Sequence, residues 1–442
     1  MNPHQHDRIA NLRSRSQRQR DGYLYVAVLF TSLVVLTAAT AAFSISTSTL
    51  RSENDRTNQD DALWLAESEM QRQIAIINGS GTWRDKHTND TFVDWHPLNL
   101  DEVSWSDESS VRHKFYDSDG DLADDTFDPV RLTVHARSGT SHVAVSVELE
   151  PDPIPLDLLR YSITAGDDLA IAPSGSVVTE REVQVSDNTT GNPSGLLITP
   201  ELQCGGRVEI SVRGEQKPAQ VTMPPHDVVK RYITLGTEIP AAKIPQSNGE
   251  LRLANRLLTK RDNPFGPVDR AGIYWIDAGG ARVVIKDCRF EATLAITNAS
   301  KIRIRDGVVW RYPNQADVIL ATNTTLTLAN IEPTLDENAV GVNFNPTSSP
   351  YRGTESNATA NDVYPTELTG ILYTSADIRI SPRTEGRTLK ITGSIIGRDL
   401  RLNGSLSLHS LNEVLASPPP GLSDPTPMRL IRSSFRRIPP PL

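Results

Sequence analysis

Residues 23–45, YLYVAVLFTSLVVLTAATAAFSI, are 23 consecutive positions without a formal charge. About 20 apolar residues carry a helix across the hydrocarbon of a bilayer. A segment of this kind must be cut off, buried in protein or left in lipid, so it constrains everything after it. Its first part, residues 23–36, is strongly apolar, whereas residues 37–45 are rich in Ala, Thr and Ser. The small residues of ATAAFS also suit a secretory cleavage site. The apolar stretch is long for such a signal, however, and no break in helical pattern follows it. We therefore expect a retained single-pass transmembrane helix. In the first twenty residues Arg8, Arg13, Arg15, Arg18 and Arg20 stand against Asp7 alone, so residues 1–22 read as a basic cytoplasmic leader. The chain beyond residue 46 then lies on the far side of the membrane.

The helical pattern continues through STLRSENDRTNQDDALWLAESEMQRQIAIING, which has no proline and no glycine before Gly79. Ala62, Leu63, Ala66, Met70, Ile74 and Ile77 recur at steps of three and four, the mark of one helix face. Residues 46–78 are thus expected to extend the first helix as an amphipathic half. Unbroken from residue 22 to 77, it would be about 80 Å long.

The run QRQRDGYLYVAVLFTSLVVLTAATAAFSISTSTLRSENDRTNQDDALWLAESEMQR resembles the N-terminus of type IV pilin-like minor subunits and of the pseudopilins of type II secretion, a resemblance that covers roughly residues 17–75. The shared parts are a basic leader, a glycine, an apolar half-helix and an amphipathic half ending here in DALWLAESEM. The resemblance implies a bacterial protein of the inner membrane, its bulk periplasmic or extracellular. It also implies processing between Gly22 and Tyr23, and other pilin-like subunits or envelope proteins as partners beside the lipid bilayer. The glutamate that major pilins carry just past the cut is Ala27 in this chain.

Residues 79–150 read as a small α+β head. Residues 130–135 and 143–149 alternate apolar with polar around Gly139, which predicts a β-hairpin, with a further strand near residues 114–116. The loop DSDGDLADD before it offers Asp117, Asp119, Asp121, Asp124, Asp125 and Asp128 as oxygen ligands. An EF-hand needs glycine at its sixth position and glutamate at its twelfth. Here Gly120 and Asp128 break that spacing, so only a looser calcium loop remains as an expectation, with Asp117, Asp119, Asp121, Asp125 and Asp128 as its ligands; no other cofactor is implied.

From residue 151 to 416 short apolar runs alternate with Asn, Asp, Gly, Ser and Thr. LAI at 294–296 is followed by VIL at 318–320, and IRI at 302–304 by LTL at 326–328, both 24 residues on. IRI at 378–380 and LRL at 400–402 lie 22 apart. Two strand positions repeating with one period favour stacked coils, and the region resembles right-handed parallel β-helix proteins; a β-sandwich is the rival. NAS, TNTT and NGS are expected at its tight corners. Residues 254–280 and 345–367 read as loops leaving the wall, and the Pro-rich residues 417–442 as a disordered tail.

Chemistry is sparsely signposted. Cys204 and Cys288 are the two cysteines, able to form one disulfide or to remain two buried thiols. The nine histidines show no metal-ligand spacing. Polysaccharide-cleaving β-helices use acidic clusters with Arg or Lys, for which Asp287, Arg289, Arg303, Arg305, Asp306 and Arg311 would be the candidates. The same residues suit a solvated sheet face, so no enzyme is expected. A net charge of −9 argues against nucleic acid. The leading expectation is a structural or interaction protein for assembly or adhesion; the alternative is a polysaccharide-binding or polysaccharide-cleaving protein.

Overall fold

The computed structural model describes residues 6–98, 109–123, 127–224, 228–313, 317–353, 355–382, 388–424 and 427–439, with side chains from residue 24 onward. The chain divides into two compact units, Met1–Asp152 with Thr426–Leu442, and Pro153–Pro425.

The first unit is built on α1, His6–Asn78, a single helix of 73 residues. It is the one described helix long and apolar enough to cross a membrane. Residues 24–46 expose every side chain, Phe30, Leu36 and Phe43 among them. Four hydroxyls in this stretch are satisfied within the helix. Thr31 Oγ1 donates to the Ala27 carbonyl at 3.0 Å, Thr37 to Leu33 at 3.0 Å, Thr40 to Leu36 at 3.0 Å and Ser32 to Val28 at 2.7 Å. Side chains that bond back to the preceding turn add little polar surface, so the Ala/Thr/Ser-rich half suits an apolar surrounding better than its composition suggests.

The last turns of α1 pack on an antiparallel sheet of β1 (Ser110–Tyr116), β2 (Val130–Ser138) and β3 (Ser141–Pro151). Ser110 pairs Arg137 and Val130 pairs Leu149. Gly139 turns the hairpin at φ +52°, a conformation glycine adopts without cost. Ala62, Leu65, Ala66, Met70 and Ile77 of α1 join Val111, Phe115, Leu132, Val134, Val145 and Val147 in one core. The buried stripe is rotated from the expected one. Leu63 and Ile74 are only partly buried, while Leu65, Glu69 and Gln73 are inside.

The expected disordered tail is a correction. Met428–Leu430 and Arg436–Ile438 are strands, and both add to β3, through Leu149 with Leu430 and Ala144 with Ile438. Met428 is buried, and the Asn78 side chain brackets it, accepting from its N–H at 2.7 Å and donating to its carbonyl at 3.3 Å. The sequence of the second unit is therefore inserted between two strands of the first.

In the second unit, short strands stack in three parallel ladders. One runs through Glu250–Ala254, Arg282–Glu291, Lys301–Arg311, Leu326–Ile331, Ile378–Ser381, Leu400–Leu402, Leu169–Ile171 and Thr189–Gly191. Its inner side is a file of aligned aliphatics, Ile285, Ile304, Leu328, Ile380, Leu402 and Ile171, all buried. The rung order breaks the chain order. Strands near 395–409 are followed in the stack by those near 163–179, through Ile395 with Ile163, Leu400 with Leu169 and Leu406 with Val177. The chain thus enters partway along the stack, proceeds to one end, and restarts at the other. The return carries α2, Val228–Leu235, which buries Val228, Val229 and Tyr232 beside Ile273, Ala295, Val318 and Ala321. The Tyr232 hydroxyl donates to Asp317 Oδ1, and burial pushes that carboxyl up to about 6.

Left-handed backbone turns the corners at Asn255, Asp287, Asn298, Asp306 and Asn330, where short polar side chains tolerate positive φ. Only NAS among the expected corner runs supplies one of them. Of the segment expected to leave the wall at 254–280, Leu257–Thr259 and Ile273–Asp277 are wall strands, and only residues 260–272 depart. The second excursion starts earlier than expected, with Thr334–Asp336 pairing Val363–Pro365.

Candidate functional site

Three groups of residues carry chemistry worth weighing. The first is the acidic loop. Asp117, Asp119 and Asp128 each bring a carboxylate oxygen within 4.8 Å of the others. Asp121 instead accepts the Ala123 N–H at 3.0 Å, and Asp124 and Asp125 lie outside the described residues. Burial, and then the charge of Asp119, raises the Asp117 carboxyl above the usual range. Arg84 reaches the same place: its Nη1 is 3.5 Å from Asp117 Oδ2 and donates to the Leu122 carbonyl at 3.1 Å, and its Nη2 donates to the Asp128 carbonyl at 2.5 Å. A protein cation already stands against Asp117, and Asp117, Asp119 and Asp128 are part of the five carboxylates expected to hold calcium.

The second group is the set of charges considered for polysaccharide cleavage. They converge only in part: Lys286 Nζ stands 3.1 Å from Asp287 and 3.7 Å from Asp306, and Arg305 Nε 3.2 Å from Asp306, while Arg289 and Arg311 are engaged elsewhere. Asp287 and Asp306 are corner residues, and Arg311 pairs with Glu367 at 2.9 Å. Arg289 is buried and donates to the carbonyls of Phe344, Ser349 (2.7 Å) and Pro350 (3.0 Å). It fastens residues 344–350 to the wall. Glu337, also buried, fixes the same excursion by accepting the Asp362 N–H at 2.9 Å and the Tyr364 hydroxyl at 3.0 Å. Cys204 and Cys288 are two free, buried thiols rather than a disulfide. Cys204 donates to the Asp187 carbonyl at 3.2 Å, and burial drives the Cys288 thiol well up.

What the sequence did not reveal is the alignment of cations on the outer side of the ladder that contains Ile285. Arg282 stands opposite Lys301, Lys286 opposite Arg305, and Arg379 opposite Arg401. Arg252 and Arg303 flank Val284 on the same side. Like charges directly opposite on adjacent strands destabilise a sheet. Acids answer some of them, as Glu250 does Arg282 at 3.0 Å and Asp377 does Arg379 at 3.7 Å. The positive column is a local inversion in a chain of net charge −9.

The third group joins histidines far apart in sequence. His96, His113 and Glu69 each bring a donor atom within 4.8 Å of the other two. The histidines show no ligand spacing in sequence that announces this meeting, which is made only when β1 and residues 90–98 lie beside α1.

No family model and no curated protein matches the chain. Among solved structures, the competence-associated pilin ComZ from Thermus thermophilus aligns at 12% identity with a TM-score of 0.32, covering 86% of this chain and 98% of that one. A score that low carries no argument about fold or function.

Proposed function

We propose that this chain is a membrane-anchored, pilin-like structural protein of a bacterial envelope. Its amino terminus lies in the cytoplasm, and its second unit is a β-helix displayed outside for assembly or adhesion. One observation carries the reading. A single helix leaves residues 24–46, a largely apolar stretch, wholly exposed, then lays its last turns on an antiparallel sheet. An apolar surface this large and continuous calls for lipid or for like helices. The leader arginines favour the cytoplasmic side for residues 1–22. Mass spectrometry of chain isolated from the envelope tests the pilin part. A mature terminus at Tyr23 supports it. Intact Met1 reduces the protein to a plain anchor bearing two folded units.

The column of opposed cations favours a second reading, in which the β-helix binds an acidic polysaccharide along that side. Replacing Arg379 and Arg401 together by glutamine is expected to weaken retention on an acidic polysaccharide resin several-fold. The melting temperature should hold or rise by a degree or two, since relief of one opposed pair is worth about 0.2–1 kcal/mol. A variant that melts lower and binds as before would remove this reading.

A further inference from the structure

We propose that Glu69, His96 and His113 form a binding site for a divalent transition-metal ion, and that Zn²⁺ fits it. The three residues come from α1, from residues 90–98 and from β1. Glu69 Oε1 lies 2.8 Å from His113 Nδ1 and 3.6 Å from His96 Nε2. Ligand atoms on a tetrahedral zinc, each about 2.0–2.2 Å from the ion, stand about 3.4 Å from one another. The two observed separations bracket that value.

His113 supplies the observation that points to a ligand. It is 4% exposed, and neither of its ring nitrogens has a hydrogen-bond partner. Nδ1 stands at ion-pair distance from Oε1, 2.8 Å away, and two donor atoms this close can turn toward a common third point. Nε2 is buried with no partner, which is otherwise costly.

His96 is held in the matching tautomer. Its Nδ1 faces the Asp94 carbonyl at 3.0 Å, so that nitrogen carries the proton and Nε2 presents its lone pair to the cluster. A backbone carbonyl behind the distal nitrogen is the usual support of a metal-binding histidine. The His96 side chain is 32% exposed, which opens an entry path and leaves a fourth position for water. The carboxylate is supported too, since Gln73 Nε2 donates to Oε1 at 2.7 Å.

Arg72 is the competitor. Its Nη2 lies 3.1 Å from Oε1 and 3.3 Å from His96 Nε2, so in the metal-free arrangement a guanidinium occupies the cation's side of the cluster. The Arg72 side chain is 39% exposed and can turn outward as the ion enters. This competition separates a metal site from an ion-pair network. In a network, loss of Arg72 only weakens the structure. In a metal site, it also removes a rival cation.

Full-length protein in detergent, stripped of metal, is titrated with Zn²⁺ by calorimetry, and separately with Co²⁺ while its visible absorption is followed. One Zn²⁺ per chain is expected, with an intense visible Co²⁺ band from low coordination number. His96→Ala, at a partly exposed position, should weaken binding about tenfold or more and leave the far-ultraviolet circular dichroism unchanged. His113→Ala should do the same if it folds. Arg72→Gln should bind Zn²⁺ more tightly than the parent. Zn²⁺ should also raise the melting temperature of the parent but not of His96→Ala. The proposal fails if the folded parent takes up no Zn²⁺, if uptake survives His96→Ala unchanged, or if Arg72→Gln binds more weakly.

Discussion

Replacing Leu33 and Leu36 together by arginine is expected to move the chain from the membrane pellet into the soluble fraction. Both side chains are exposed on the apolar half of α1, where nothing in the protein covers them. Each arginine near the centre of a membrane helix costs about 2.5–3.5 kcal/mol on insertion. Two of them together cost about 5–7 kcal/mol, enough to reverse the partition of a single anchor. Gln59→Arg, placed on an exposed position of the docked half, should leave the protein in the pellet. Sedimentation of fractionated cells, read by immunoblot, measures parent and both variants. Double-arginine protein that still pellets with membranes and resists carbonate extraction would end the anchor reading.

Ending the chain after Asp424 is expected to destabilise the first unit while sparing the second. The truncation removes Met428–Leu430 and Arg436–Ile438 from the edge of β3. It exposes the surface that covers Met428 and strands the Asn78 amide and the Glu148 N–H, which now donates to Ser434 Oγ at 2.9 Å. Burying one methionine contributes about 1.5–3 kcal/mol, and each lost hydrogen bond about 0.5–1.5 kcal/mol. The sum, roughly 3–7 kcal/mol, is a large share of the 5–15 kcal/mol that typically holds a domain together. Calorimetry should show one unfolding transition falling by about ten degrees or more, on the order expected for a unit this size. The other transition should stay in place. Two unmoved transitions would mean that the tail is dispensable.

Features written in local sequence are legible. The hairpin at Gly139 and the long helix follow from period and turn chemistry. The register of Ile302 with Leu326, and of Ile378 with Leu400, agrees with the repeat spacing. The repeat at Leu294 is offset by two, because its partner is Leu320 rather than Val318. Val318–Thr322 is buried at every position, and an unbroken apolar run has no phase from which to read its register. The order of the tail is hidden for a related reason. Its prolines and arginines describe an unattractive isolated segment, while its order comes from the free edge of β3. Glu69 and Gln73 break the apolar stripe of α1, and that break is the available hint of a polar cluster beneath the helix. The partners of Glu69, 27 and 44 residues further on, follow no local motif.

The displaced order of the rungs has a consequence for how this protein is made. A ribosome delivers residues 163–204 early, yet the strands that cover one side of them, residues 395–409, come some two hundred residues later. Throughout that interval the early rungs hold a bare backbone edge, the kind of surface that recruits neighbouring chains into aggregates. Growth by adding each newly made rung to the last cannot complete the stack, because the final rung must find a waiting site in the middle. Folding therefore waits on one late closure, and a nonsense codon anywhere before residue 409 should yield a sticky fragment rather than a shorter functional protein.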